Sequence, residues 1–265
     1  MKYPAMAASL VFCAMAFTPA FLSAAQTSGK KLEFEVASIH RTSPQDARAT
    51  QTMKPLPNGT GYMTQNFSLK AMIATAYRLP MSRVEGGPDW IDSDRYDIQA
   101  RADKSYGMDD LHTMFKNLLS DRFGLKYHIV TRESSVYDFV VDKAGIKMKV
   151  AEPSQTMQVP IVTKSPGDCV ATGVSMSYLA FFLSQPYLGT DHPVIDKTGL
   201  SGTYNFTLTF IPQFPGVPSD QLAPELQNRP TLPDAVREQL GLRLQLAKGP
   251  VDSLIIDAVS RPSDN

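Results

Sequence analysis

Two periodicities alternate along this chain. Phe34–Ile39 (FEVASI) switches between apolar and polar residues, as a half-buried strand does, and Gly61–Asn66 reads as a second short strand. Ser68 then stands as an N-cap before Leu69–Arg78, whose Leu69, Met72, Ile73 and Ala76 fall on one helical face; Pro80 stops that helix. Tyr96–Ala102 alternates again. Asp109 or Asp110 caps the next helix, Leu111–Phe123, and Gly124 is placed to end it in the left-handed conformation. Leu125–Asp142 is predicted to fold as a hairpin, followed by a short strand near Ile146–Val150.

The plan then repeats. Ser175 or Ser177 caps Tyr178–Ser184, a helix apolar almost all round and therefore expected to be buried. Val194–Phe210 repeats the turn-then-strand layout of Gly86–Ala100, Leu232–Leu240 is the last helix, and Leu242–Val259 is predicted as a second hairpin. Gly124-Leu125 answers to Gly241-Leu242, Val136 to Val251 and Asp142 to Asp257, an echo that suggests an internal duplication. The expected fold class is therefore α+β: two tandem duplicated modules, each strand-helix-strand-helix-hairpin, over residues 33–150 and 175–265. The Pro-broken stretch 151–174 is the expected linker, and 211–233 is a proline-rich insertion with too many breakers for regular structure.

The N-terminus carries a different signal. Lys2, the apolar run Ala5–Phe17 and the small residues Ser23-Ala24-Ala25 have the layout of a secretory signal peptide, residues 1–25, cleaved after Ala25. The expected location is thus periplasmic or extracellular. Cys13 leaves with the leader, so Cys169 remains alone and no internal disulfide forms. Lys and Arg number 26 against 26 Asp and Glu, a balance that argues against a nucleic-acid partner. No transmembrane segment is expected in the mature chain.

Candidate chemistry is sparse. Gly199-Leu200-Ser201-Gly202 invites comparison with a nucleophile elbow, but Thr203 stands where glycine is needed and a strand, not a helix, is expected after the serine. Ser201, His192 and Asp196 outline an alternative hydrolase site near Asp191–Ser201. Asp89, Asp92, Asp94 and Asp97 crowd one segment, yet Tyr96 breaks the helix-loop-helix calcium spacing, and solvated turn carboxylates are the better reading. His40, His112, His128 and His192 show no i, i+3 or i+4 pair, so neither a metal nor another cofactor is expected. Trp90, Tyr96 and Tyr204 are the candidate binding residues, with strand anchoring as the competing role for the tyrosines. Gly86, Gly87, Pro88, Gly124, Gly199, Gly202 and Gly241 are expected to serve turn geometry.

FEVASI, GGPDWIDSDRYDIQA, LLSDRFGLKYH, VIDKTGLSGTYNFTLTF and the closing QLGLRLQLAKGPVDSLIIDAVSRPSDN together resemble the secreted "soil-associated protein" family, a domain of unknown function, from Phe34 to Asn265. That resemblance implies no activity. It suggests a partner of the sensor-type membrane metallopeptidase class, because some members are joined to one. Each half is also similar to the short N-terminal domain of secretins and TonB-dependent receptors, through Gly202-Thr203-Tyr204, Leu240-Gly241-Leu242 and Val251–Asp257. This second resemblance implies protein docking in the cell envelope, on a receptor or secretin. The function expected is a non-catalytic binding or docking module, with strand addition at an edge such as Tyr137–Asp142. A periplasmic small-ligand binder with its pocket between the halves is the other reading.

Overall fold

The two segments expected to be hairpins are each one uninterrupted strand. In the computed structural model, which describes residues 31–43, 50–152, 159–185, 188, 190–214 and 216–262, β6 (Lys126–Val141) and β12 (Leu242–Ala258) run antiparallel to each other along their whole length. The residues that break the alternation, Ser134 and Ser135 in β6 and Gly249 and Lys248 in β12, face one another at the middle of this ribbon. They do not turn the chain, for two physical reasons. Pro250 is tolerated because the far side of β12 pairs only at Leu254–Ile256, so its missing N–H breaks no ladder there. Gly249 is needed because a Cβ on it would lie 3.1 Å from a Val136 methyl and 3.2 Å from Ile195, which close over this point.

The remaining strands are β1 (Val36–Arg41), β2 (Thr52–Pro55), β3 (Gly61–Ser68), β4 (Val84–Gly86), β5 (Arg95–Arg101), β7 (Lys149–Val150), β8 (Ile161–Ser165), β9 (Asp168–Val174), β10 (Val194–Asp196) and β11 (Tyr204–Thr209). Helices are α1 (Leu69–Tyr77), α2 (Trp90–Ser93), α3 (Met108–Phe123), α4 (Met176–Leu183), α5 (Pro224–Gln227) and α6 (Leu232–Ala235), the last continuing as a π-turn over Val236–Leu240. Three four-stranded sheets result, in the orders β1-β5-β3-β2, β10-β6-β12-β4 and β7-β11-β9-β8. The fold is mostly β, with short helices apart from α3. This overturns the expected α+β class of two duplicated strand-helix-strand-helix-hairpin modules. Each expected hairpin instead contributes one strand to a shared central sheet. The segment expected as a linker, 151–174, supplies β8 and β9, and α5 lies within the proline-rich insertion. The leader at residues 1–25 lies outside the described residues.

Local signals explain some helix ends, although α3 starts at Met108 after Gly107 without the expected Asp109 or Asp110 cap. The Ser68 hydroxyl accepts from Ala71 N at 3.3 Å and the Ser175 hydroxyl from Tyr178 N at 3.3 Å, so both serines cap their helices. The first core joins Ile39, Tyr62 and Ile98 of the first sheet to α1, α3 and, from the ribbon, Leu254 and Ile256. A second core joins β9, α4, β11 and the last helix to Phe139 and Leu242 of the same ribbon. The ribbon therefore enters both cores.

Gly241 fixes the junction between the last helix and β12. Its φ is +71°, and a Cβ there would lie 2.0 Å from the Gly145 carbonyl oxygen, in the turn that leaves β6. Gly199 has φ +67° but open space around it. Gly241→Ala is expected to cost about 2–4 kcal/mol and Gly199→Ala about 1 kcal/mol, read from urea unfolding of both variants. Equal losses at the two sites would show that backbone strain alone, without the Gly145 contact, sets the effect.

Candidate functional site

The helices α1 and α4 face one another across a groove of about 700 Å³. From α1, Ala71, Ala74 and Thr75 share one face at i, i+3 and i+4; they are small, and so leave space. From α4 and the residue pair beyond it, Tyr178, Phe181, Phe182 and Gln185 share a face at i, i+3, i+4 and i+7, and they fill the opposite wall with aromatic rings. Phe67, Leu79, Met81, Ile161 and Thr163 complete the lining. Tyr178 and Phe181 are only half-buried and meet edge to face at 6.0 Å. The sequence reading of a fully buried α4 is thus too simple: a helix apolar on every side here serves a core on one side and a groove on the other.

One end of the groove is tied together by Arg78. This residue follows α1 in the left-handed conformation, φ 55°, where its N–H still bonds back to the helix. Its guanidinium donates to Asp109 of α3 and lies 5.9 Å from the centre of the Tyr178 ring. Behind it, His112 and Tyr62 meet at 3.3 Å within the core, and Tyr62 also packs on Phe115 at 5.2 Å. His112 Nδ1 and Arg78 Nε are buried without a hydrogen-bond partner. Burial pushes the Tyr178 phenol up, so it stays a neutral hydroxyl. Burial does the same to Tyr62. Burial, with Arg78 and Lys116 nearby, holds His112 down at about 4, so this ring is neutral at pH 7.

The residues singled out from sequence fall elsewhere. Tyr96 is 2 % exposed and packs edge-on against Phe123 in the first core; Tyr204 is 5 % exposed in the second core, its hydroxyl donating to the Ser201 carbonyl. Trp90 lies at the rim of the first core under Arg261, 4.9 Å away. The structure therefore brings Trp90 and Tyr96 to one core and leaves Tyr204 in the other. Gly86, Gly87, Gly199 and Gly202 all have positive φ, and Gly124 and Gly241 cap their helices in the left-handed conformation. Pro88 accepts the Ile91 N–H on its carbonyl, starting α2.

The crowded aspartates divide. Asp92 is exposed and paired with Lys70, whereas Asp94 is 6 % exposed and held by Arg41 at 2.6 Å and Arg261 at 2.9 Å. Asp97 accepts from Asn66 N and the Thr42 hydroxyl, pinning the irregularity in β3 where Asn66 has φ 53°. Asp89 and Asp92, both exposed, thus fit the solvated reading, and Asp94 and Asp97 do not. Asp196 accepts from Thr198 N and the Thr198 hydroxyl, while His192 lies 3.6 Å from Asp191 and stacks on Tyr137 at 5.6 Å. Among the described residues no group of three or more His, Cys, Asp and Glu gathers as metal ligands.

Sequence reasoning passed over the groove because its walls come from residues about a hundred positions apart. The available signal was the pairing of an alanine-rich face on α1 with an aromatic-rich α4. It weighed His112 only as a metal ligand and not as a buried neutral ring, although this residue lies beside Leu111 and Phe115 on the apolar stripe of α3.

His112 makes stability depend on acid in a defined window. Its unfolded value is near 6.5 and its folded value about 4. Above both values it is neutral in either state and contributes no pH dependence. As pH falls through 6.5 the unfolded chain takes up the proton that the folded chain refuses, so stability drops until about pH 4 and then levels. The wild type is expected to lose about 3 kcal/mol more than His112→Gln between pH 7 and 4, measured by urea unfolding at each pH. Parallel curves for the two proteins would remove His112 as the source.

Comparison with known proteins adds one positive result. No curated protein and no solved structure matches the chain. A family model described as "Protein of unknown function (DUF3738)" matches residues 70–259, from the first turn of α1 to the residue after β12. The match spans both groove helices, the whole central ribbon and well over half of the chain, and the chain belongs to this family of unknown function.

Proposed function

We propose that this is an exported, non-catalytic binding protein and that the groove between α1 and α4 holds its ligand, a small molecule with an apolar body. The observation that carries this reading is the groove itself. Its volume of about 700 Å³ lies within the roughly 300–1,000 Å³ typical of small-molecule sites. Its walls are aromatic and aliphatic, and the polar groups among them, Thr75, Thr163, Gln185 and the neutral phenol of Tyr178, offer hydrogen bonds that orient a ligand without ionising. The leader pattern at residues 1–25 supports export.

The neutral fluorescent probe N-phenyl-1-naphthylamine is expected to bind with a rise in emission and to raise the melting temperature of the protein. Thr75→Trp, which places a large ring in the groove from a half-buried position, is expected to weaken probe binding at least tenfold while leaving the circular dichroism spectrum unchanged. A folded Thr75→Trp that binds the probe like the wild type places the ligand elsewhere.

A second reading, docking of an envelope receptor, secretin or sensor-type metallopeptidase, is favoured by one observation. β10 pairs with β6 only at Tyr137–Phe139, which excludes those residues of the expected Tyr137–Asp142 edge from strand addition, but the flank Lys126–Val136 extends beyond that pairing. Tyr127 and Ile129 are exposed on this flank. A photo-crosslinker placed at Ile129 is expected to capture an envelope protein in cells, and the same group at Asp138 to capture none. Equal capture at both positions speaks against strand addition.

A further inference from the structure

The groove does not end at Phe181. A second depression of about 360 Å³ shares Leu79 and Phe181 with it, so the two adjoin across these side chains where the helices meet the ribbon. Their chemistry differs sharply. The lining of the larger part contains no charged side chain. The smaller part is lined by Arg78 at one end and by Asp196 of β10 and Asp252 of β12.

These charges do not cancel within the arm. Arg78 already has a carboxylate, Asp109 on α3, outside the hollow. Asp196 is met by the Thr198 N–H at 3.0 Å and the Thr198 hydroxyl at 2.7 Å, and Asp252 by the Thr131 hydroxyl at 2.6 Å. All three donors are neutral. Hydrogen bonds of this kind aim a carboxylate and leave its charge in place. Both aspartates are exposed, and Lys197, the cation next to Asp196 in sequence, pairs instead with Asp138. The arm thus carries two carboxylates held only by neutral donors, against one guanidinium, Arg78, that is paired with Asp109, and Phe181 lines the same depression.

Resting on the groove reading above, we infer that the ligand is an amphipathic organic cation: an apolar, preferably planar body in the α1–α4 groove and an ammonium group in the arm between Asp196 and Asp252. The class follows from complementarity. A neutral ligand of the same shape leaves both carboxylates unused, and an anionic one is repelled by them. A metal cation is a poorer match, because among the described residues no third His, Cys, Asp or Glu joins the two carboxylates.

Three probes of one size and different charge test this: 1-pyrenemethylammonium, 1-pyrenemethanol and 1-pyrenecarboxylate, titrated by fluorescence against the full mature chain at low salt. The cation is expected to bind at least tenfold tighter than the alcohol, and the carboxylate more weakly than the alcohol. In Asp196→Asn/Asp252→Asn the cation's advantage is expected to disappear while the affinity for the alcohol stays within about twofold. Raising the salt to about 0.5 M, which screens exposed charges, is expected to weaken the cation alone. If the alcohol binds and the cation gains nothing over it, the charge assignment is overturned and the groove stands. If none of the three binds, the groove reading falls and this inference with it. Should the double variant misfold, the salt titration of the wild type decides the same point.

Discussion

Pairing between β6 and β12 is the constraint on which the rest of the structure depends. β6 is 16 residues long, so the ribbon extends roughly 50 Å, far beyond an ordinary strand. Such a length is stable only if both ends are covered by packed side chains. Leu254 and Ile256 enter the first core near one end, and Phe139 and Leu242 enter the second near the other. Each end also gains one short parallel strand, β4 beside Leu254–Ile256 and β10 beside Tyr137–Phe139. The hydrogen-bonded ladder is therefore the element shared by two hydrophobic cores, and the position of one core relative to the other is set by its register. A shift of β12 by one residue would turn Leu242 and Leu254 out of their cores together.

That sharing also explains why there is a groove. α1 packs on the first core and α4 on the second. Neither helix needs to bury its remaining face against the other, because the ribbon already holds the two cores at a fixed separation. The small side chains Ala71, Ala74 and Thr75 then preserve the space that larger residues would close, while Tyr178, Phe181 and Phe182 give it an apolar wall. The polar arm has the same origin. Asp196 sits at the end of β10 and Asp252 on β12, so both are carried to the end of the groove by strands of the central sheet.

Local structure was largely legible in the sequence. Ser68, Ser175, Gly124 and Gly241 act where short-range stereochemistry says they should, because capping involves only neighbours within one helical turn. Long-range pairing was not. The stretch around Gly249-Pro250 has the composition of a turn, and what keeps it extended is a partner strand more than a hundred residues away, together with Val136 and Ile195 packed against the glycine. No local rule contains that information, and the error propagated from two hairpins to the whole fold class. The groove was illegible for a related reason: an all-apolar α4 reads as buried, and only the small residues on α1 reveal that one side of it is left uncovered. Tyr96 and Tyr204 were legible as strand anchors, since alternation assigns them to inward-facing positions.

Arg78 separates a structural requirement from a functional one. Two other helices end on a left-handed residue, and there the residue is glycine, Gly124 or Gly241, which adopts that conformation without strain. After α1 the same backbone conformation is held by arginine, at a penalty of about 1 kcal/mol relative to glycine. Its Nε is left without a partner, as is Nδ1 of the adjacent buried His112. Each of these features lowers stability, and they lie side by side, Arg78 on the wall of the smaller depression and His112 behind it in the first core. What the arginine supplies there is its side chain. Its guanidinium joins Asp109 of α3 to the Tyr178 ring of α4, tying three helices together where the apolar groove meets its charged arm. Strain kept at a cavity wall, when an unstrained residue is used at equivalent helix ends, is the pattern expected where the shape of the cavity matters more than the last increment of stability.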